Sequence, residues 1–212
     1  MYVVIDPTNR NDYKKELNDY FHIRKRVFVD ALGWRLPTIN DMEIEHYDTK
    51  EDPVYILSVD DSNGAVRGGV RLMPTTGPHL MKDVFSSWFA NPIVLESATI
   101  WEATRFCVDP AYLRGPYTPR GLNLATSELI CGAWDLGAEI GLTQLTAICH
   151  LGMVNALKRA KCPFEIIDET EAPAGGRVFL GLWDVSHEIA AAIRQSTGLD
   201  APERAKHRLL AA

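Results

Sequence analysis

The sequence predicts an α/β domain, a mixed β-sheet covered by helices. Three observations carry that expectation. Residues 53–60 (PVYILSVD) and 65–73 (AVRGGVRLM) are apolar, β-branched runs joined by the turn signal DSNG, the pattern of a hairpin. Downstream of them strand-like and helix-like periods alternate. The 212 residues, 46% hydrophobic and 24% charged, suffice for one large core and contain no internal repeat.

Tyr2–Ile5 reads as a short strand that Pro7 ends. A helix is expected over about 11–31, closed by Gly33. On it Leu17, Phe21, Arg24 and Phe28 share one face, so two phenylalanines bracket a permanent cation on the side that should meet the core. Residues 33–52 carry Trp34, Pro37 and several acids without a clean period and read as a long loop, a length that usually marks function. In the strand at 65–73, Val66, Gly68, Val70 and Leu72 share one face and Arg67, Gly69 and Arg71 the other. The pair Gly68-Gly69 inside a strand suits close backbone approach rather than phosphate binding.

Pro74–Pro78 is a turn, LMKDVF (80–85) a short helix, and 98–108 (ATIWEATRFCV) a strand stopped by Asp109-Pro110. The connector RGPYTPRG (114–121) leads into a helix at about 121–137. A strand at 142–149, a helix at 151–160, strands at 164–167 and 178–183 and a helix at 185–196 follow; the tail after Gly198 is expected to be a loosely docked helix.

A formal net charge of −6 argues against a nucleic-acid or anionic membrane surface. Local basic stretches at 113–121 and 204–208 are candidates for an acidic carrier or a phosphate. The start, MYVVIDPTNR, has neither the basic region nor the apolar run of a signal peptide, and the apolar stretches are far shorter than a bilayer span, so a cytoplasmic location is expected. Cys107, Cys131, Cys149 and Cys162 are widely spaced without a CxxC and read as reduced, mostly buried thiols. No metal site is expected, the neighbours Cys149-His150 included.

The sequence lacks GxSxG, HExxH, GxxxxGK[ST] and a helix-opening GxGxxG, which leaves a nucleophilic serine and a nucleotide loop without support. It does place charges where apolar residues belong: Arg24 on its helix face, Arg71, Glu102 and Arg105 inside strands, and Glu43, Glu45 and Asp48 together in MEIEHYD. Buried ions must find partners. Taken singly, each fits a structural ion pair pinning the 33–52 loop to the sheet. Taken together, three arginines facing several acids suggest a cleft for a ligand of both charge signs. Glu102 and Arg105 are three apart, so a regular strand separates them onto opposite faces unless it bulges near Ala103–Thr104.

The ordered set R-x-x-x-F at Arg24/Phe28, Gly33-Trp34, M-E-I-E-x-Y-D at 42–48, R-L-M-P-T-T at 71–76, D-V-F at 83–85 and E-x-T-R-F at 102–106 resembles the acyl-homoserine-lactone synthases, the autoinducer synthases of bacterial quorum sensing. The match runs in order through the first half of the chain, while the second half agrees in length and element order. The resemblance implies one domain over 1–212 with a splayed mixed sheet flanked by helices, an α/β/α sandwich like that of GCN5-related N-acetyltransferases. It implies two substrates, S-adenosylmethionine and an acyl thioester on acyl carrier protein or CoA. The products would be an N-acyl-homoserine lactone, methylthioadenosine and the carrier thiol, with no cofactor. By the same resemblance about 1–110 form the S-adenosylmethionine-binding and catalytic half, about 111–200 the acyl-chain and carrier half, and 200–212 a tail.

The family's motif positions fall on Arg24, Phe28, Trp34, Glu45, Asp48, Arg71, Glu102 and Arg105, with Glu45 standing where the family commonly has Asp, and with the Thr104 hydroxyl within pattern. Phe28 and Trp34 would face the sulfonium and adenine, an arginine such as Arg24 or Arg71 the carboxylate, and Asp48 or Glu45 the cationic centres. Glu102 is the first choice of base for the attacking α-amine and Glu45 the second, with Arg105 in the same catalytic set and a main-chain N–H at the sheet edge as oxyanion donor. The substrate's own carboxylate would then close the lactone. Expected walls of an acyl channel are Trp101, Leu124, Trp134, Leu145, Thr146, Ile148, Met153, Leu157 and Leu182. Members favouring 3-oxo chains often carry a threonine on the 142–149 strand; here Thr146 or Ala147 takes that place, and a chain without a 3-oxo group is expected. A CoA-dependent N-acetyltransferase is the rival, but RGPYTPRG lacks its [QR]-x-x-G-x-[GA] spacing. A non-catalytic binding module fits the intact charged set less well.

Overall fold

A computed structural model describes residues 1–91, 95–173 and 175–199. Its strands are β1 (Tyr2–Ile5), β2 (Thr38–Ile39), β3 (Met42–Glu43), β4 (Val54–Val59), β5 (Val66–Pro74), β6 (Ile100–Val108), β7 (Gln144–His150), β8 (Phe164–Glu171) and β9 (Arg177–Asp184). The α-helices are α1 (Lys14–Arg24), α2 (His46–Thr49), α3 (Leu80–Asp83), α4 (Leu124–Glu139), α5 (Leu151–Arg159) and α6 (His187–Thr197). Seven strands form one sheet in the order β1-β4-β5-β6-β7-β9-β8, and β2-β3 is a separate hairpin.

Neighbours in the large sheet are antiparallel except β6 and β7. Those two run parallel and pair at Ile100–Gln144, Trp101–Leu145 and Glu102–Thr146 only. Past Glu102, β6 pairs with β5 alone, and past Thr146, β7 pairs with β9 alone. The sheet is therefore splayed into a V at this junction.

One face carries α4, α5 and α6 over a core that includes Val70, Leu72, Leu129, Trp134, Leu145, Leu157, Trp183 and Ile193. The other face is covered by α1, whose Leu17, Tyr20 and Phe21 pack on Tyr55, Leu57 and Cys107. Beside α1 on that face, Met81, Phe89 and Leu180 gather with Phe85, Trp88 and Ile148 against β7 and β9. Helices on both faces complete the expected sandwich.

Several boundaries differ from the sequence reading, each for a local reason. The first helix starts at Lys14, not 11, and from Lys25 to Ala31 it widens into a π-helix, with the Leu32 N–H reaching back to the Val27 carbonyl at 3.1 Å. The loop at 33–52 contains β2, β3 and α2. Asn123, not Gly121, opens α4, because its side chain accepts the Thr126 N–H and caps the helix. β8 continues past 167 to Glu171 as an acid-studded edge strand. The tail beyond Leu199 and the basic stretch 204–208 lie outside the described residues.

Two bulges decide which arginines meet. In β5, Ser58 pairs with Gly68 and Val59 with Val66, so Arg67 is an extra residue. It turns to the α4 face and donates to Glu128 at 2.9 and 3.1 Å and to the Val59 carbonyl at 2.7 Å. Arg67 and Arg71 thus occupy opposite faces, against the single-face reading, because alternation restarts at a bulge. In β6, Gly69 pairs with Cys107 and Arg71 with Thr104, so Arg105 and Phe106 together oppose Val70.

Gly68 and Gly69 are close-approach glycines, as expected. A Cβ on Gly68 would sit 2.4 Å from the Cys107 carbonyl oxygen, and one on Gly69 would sit 2.6 Å from both Leu57 and Tyr20. All four cysteines are free thiols, and among the described residues no helix is long and apolar enough to cross a membrane.

Candidate active site

The segment from β2 to α2 lays its acids against three arginines from three different elements. Asp48 accepts the Glu45 N–H at 3.0 Å, the reach-back that opens α2. The same carboxylate takes Arg24 in a two-pronged pair at 2.9 and 2.9 Å, Arg71 at 3.1 Å and the Tyr55 hydroxyl at 2.8 Å. Glu43 accepts Arg24 Nε at 2.5 Å and Arg105 at 3.3 Å. Glu45 bridges Arg71 Nη2 at 2.6 Å and Arg105 Nη2 at 2.9 Å. Arg71 Nε reaches the Thr104 hydroxyl at 3.1 Å.

Arg24, Arg71 and Glu43 have no exposed surface, so these pairings are what makes their burial tolerable. Burial alone would raise the pKa of Asp48 and Glu43, but the guanidiniums override it and hold both carboxyls below their usual range. Arg24, which sequence reasoning offered to the substrate carboxylate, has Nε on Glu43 and both Nη on Asp48. Arg71 likewise has all three nitrogens engaged, on Thr104, Asp48 and Glu45. Arg105 differs. Its Nε and Nη2 pair with Glu43 and Glu45, while among the described residues its Nη1 makes no hydrogen bond.

Glu102 and Arg105 do share a face. The bulge that brings this about lies at Arg105–Phe106, two residues beyond the expected Ala103–Thr104. Glu102 is fully buried and accepts the Leu80 N–H at 2.8 Å and the Met81 N–H at 2.7 Å, the first two amides of α3. Burial lifts its pKa from 4.5 to about 7, with the two amides and the nearby Arg71 and Arg105 pulling back. The site therefore holds two classes of carboxyl group: Asp48 and Glu43 stay ionised, while Glu102 titrates near neutrality.

Phe28 lies under the Arg105 guanidinium, 5.7 Å from ring centroid to Cζ, and stacks on Trp34 at 5.0 Å. Phe28 is buried, whereas Trp34 is 37% exposed and forms the accessible end of the pair.

The expected acyl-channel residues split across the sheet. By register, Thr146, Ile148 and Leu182 lie on the Glu102 face, with Thr146 directly beside Glu102 and its hydroxyl donating to the Gly181 carbonyl at 3.0 Å. Trp101, Trp134, Leu145, Met153 and Leu157 lie on the opposite face in the α4 core, as does Ala147. Leu124, at the start of α4, lines a hollow with Arg67 and Tyr112. Sequence reasoning did not single out Tyr20 and Tyr55, although Tyr20 is one turn before Arg24 on the same helix face.

The family model described as autoinducer synthase matches residues 8–193. An acyl-homoserine-lactone synthase of Rhizobium etli is 32% identical over 181 residues, 85% of this chain and 82% of that protein. Among solved structures, a CoA-dependent acyl-homoserine lactone synthase, MesI, is similar at a TM-score of 0.78 and 28% identity, covering 95% of this chain and 97% of the other. An acyl-CoA N-acyltransferase from Pseudomonas aeruginosa shares the fold alone, at a TM-score of 0.56 and 14% identity over 86% of this chain and 98% of its own.

Proposed function

The chain belongs to the acyl-homoserine-lactone synthase family of autoinducer synthases, and from that premise we propose how its residues divide the work of making a quorum-sensing signal. S-adenosylmethionine supplies the amine. An acyl thioester, carried on CoA or acyl carrier protein, supplies the acyl group, and the solved relative MesI is described as CoA-dependent. Both substrates are made in the cytoplasm, where we place the enzyme.

The assignment of the amine substrate's seat rests on Arg105. Its Nη1 is the one nitrogen among the three clustered guanidiniums without an intramolecular acceptor among the described residues. A carboxylate held there has the Phe28–Trp34 stack beside it for a sulfonium or adenine. Glu45, which Arg71 and Arg105 hold in place, supplies the negative field for the cationic centres. Arg24, Asp48 and Arg71 then serve by fixing the segment that carries Glu45.

An α-ammonium titrates at about 8, close to the Glu102 value, so proton transfer between them is nearly balanced. Each Glu102 oxygen already accepts one amide and keeps a second lone pair for the proton. The freed amine attacks the thioester carbonyl, the carbon–sulfur bond breaks, and the proton passes to the departing thiol as the amide forms. The substrate carboxylate then attacks its own γ-carbon, closing the lactone and expelling methylthioadenosine. The V past Glu102 and Thr146 admits the thioester, and main-chain N–H groups on its two unpaired strand edges serve as oxyanion donors. We assign residues up to about 110 to the amine substrate and catalysis, and about 111–200 to the acyl chain and its carrier. The Thr146 hydroxyl proton is committed to Gly181, which leaves none for a 3-oxo oxygen and favours a chain without a 3-oxo group.

Incubation with S-adenosylmethionine and a panel of acyl-CoA and acyl-carrier thioesters, read by mass spectrometry, should yield an acyl-homoserine lactone and methylthioadenosine in equal amounts. Neither product from any donor would overturn the assignment. Trp34→Ala should raise KM for S-adenosylmethionine about tenfold through loss of the aromatic face, leaving KM for the thioester within twofold. Equal changes in both would place Trp34 outside the amine site.

A further inference from the structure

We propose that Tyr20 is a positioning residue for the reaction, holding the β6 bulge that turns Arg105 into the substrate site. The proposal rests on the assignment of Arg105 made above. Arg105 sits at φ +55°, a left-handed conformation that residues other than glycine, asparagine and aspartate seldom adopt. Such a conformation persists only where its surroundings fix it. Here the fixing contact comes from far along the chain: the Tyr20 hydroxyl on α1 donates to the Arg105 carbonyl oxygen at 2.7 Å.

Tyr20 is wholly buried, and its burial keeps the hydroxyl protonated and therefore a donor across the working pH range. Its ring reaches this place because residue 69 is glycine. A Cβ there would stand 2.6 and 2.7 Å from Tyr20 Cε2 and Cδ2. The ring also meets Tyr55 edge-on at 6.1 Å, and Tyr55 in turn donates to Asp48. Gly69, Tyr20 and Arg105 thus form one device. The glycine leaves room for the ring, the ring aims the hydroxyl, and the hydroxyl caps the carbonyl of the residue that must face the wrong way for its strand. Without that hydroxyl the carbonyl is left short of a donor, and Arg105 is free to return to regular alternation.

Tyr20→Phe removes the hydroxyl and keeps the ring. The expected result is a fall of about 10- to 100-fold in kcat/KM for S-adenosylmethionine, carried mainly by KM, with KM for the acyl thioester within twofold and the unfolding midpoint little changed. Gly69→Ala, which keeps the hydroxyl but displaces the ring, should give the same split. In an Arg105→Ala background, Tyr20→Phe should add less than twofold, because both act through one side chain. If Arg105→Ala raises KM for S-adenosylmethionine but Tyr20→Phe does not, or if Tyr20→Phe lowers activity only in proportion to lost folded protein, Tyr20 merely packs and the proposal fails. If Arg105→Ala itself leaves that KM unchanged, the fault lies in the assignment of Arg105.

Discussion

Arg24→Ala is expected to lose about 3–5 kcal/mol of folding stability, a drop of roughly 10–15 °C in unfolding midpoint, rather than to leave a folded enzyme with an empty substrate anchor. The reason is where its three nitrogens go. Removing them strips Glu43 of its shortest partner and Asp48 of a two-pronged one, in a region with no exposed surface on Arg24 or Glu43. Glu43 and Asp48 are held ionised in the fold, so their stabilisation is present above the ordinary carboxylate range and is lost as pH falls. In the variant that acid dependence should shrink as the carboxyls move back towards ordinary values. Thermal unfolding at several pH values measures both effects. A variant as stable as the parent that no longer binds S-adenosylmethionine would return Arg24 to the substrate.

The second large effect belongs to Glu102→Gln, which should lower kcat about 10²- to 10⁴-fold and erase the acid limb of the pH–rate profile near pH 7. In the parent, activity should climb as pH rises through about 7, since the basic form is the ionised one. Stability should run the other way. A carboxyl whose pKa is raised on folding stabilises fully below its unfolded value and less as pH climbs, so on the order of 3 kcal/mol is surrendered between pH 4.5 and 7. Glutamine does not titrate, and that slope should vanish. Its amide nitrogen would face one of the Leu80 and Met81 N–H groups, which costs about 1–3 kcal/mol at every pH. A variant that loses stability but keeps the acid limb would make Glu102 a clamp for α3, with Glu45 the next base to test.

Long, periodic elements were legible, and short or register-dependent ones were not. The β4–β5 hairpin and α4 announce themselves by turn chemistry and apolar period. Two-residue strands and a four-residue helix cannot display a period, so β2, β3 and α2 read as loop. A bulge depends on the partner strand's register, so neither Arg67 nor Arg105 could be assigned a face from its own strand. The charged set was found because ions inside strands are conspicuous wherever they point. The acyl residues were harder: alternation in β7 separates Gln144, Thr146, Ile148 and His150 from Leu145, Ala147 and Cys149, but which set meets Glu102 depends on the register with β6.

The charged cluster has one more consequence. Three guanidiniums stand against Glu43, Glu45 and Asp48, so the formal sum of these six groups is zero (+3 − 3). Such a pocket casts little field beyond a screening length of about 8 Å at physiological salt. On the proposed assignment of Arg105, S-adenosylmethionine is selected there by contact, and its KM should be almost indifferent to ionic strength. The chain as a whole carries a formal −6, and an acyl carrier protein is itself acidic. Salt should therefore act on the meeting of enzyme and carrier, and leave the small substrate alone.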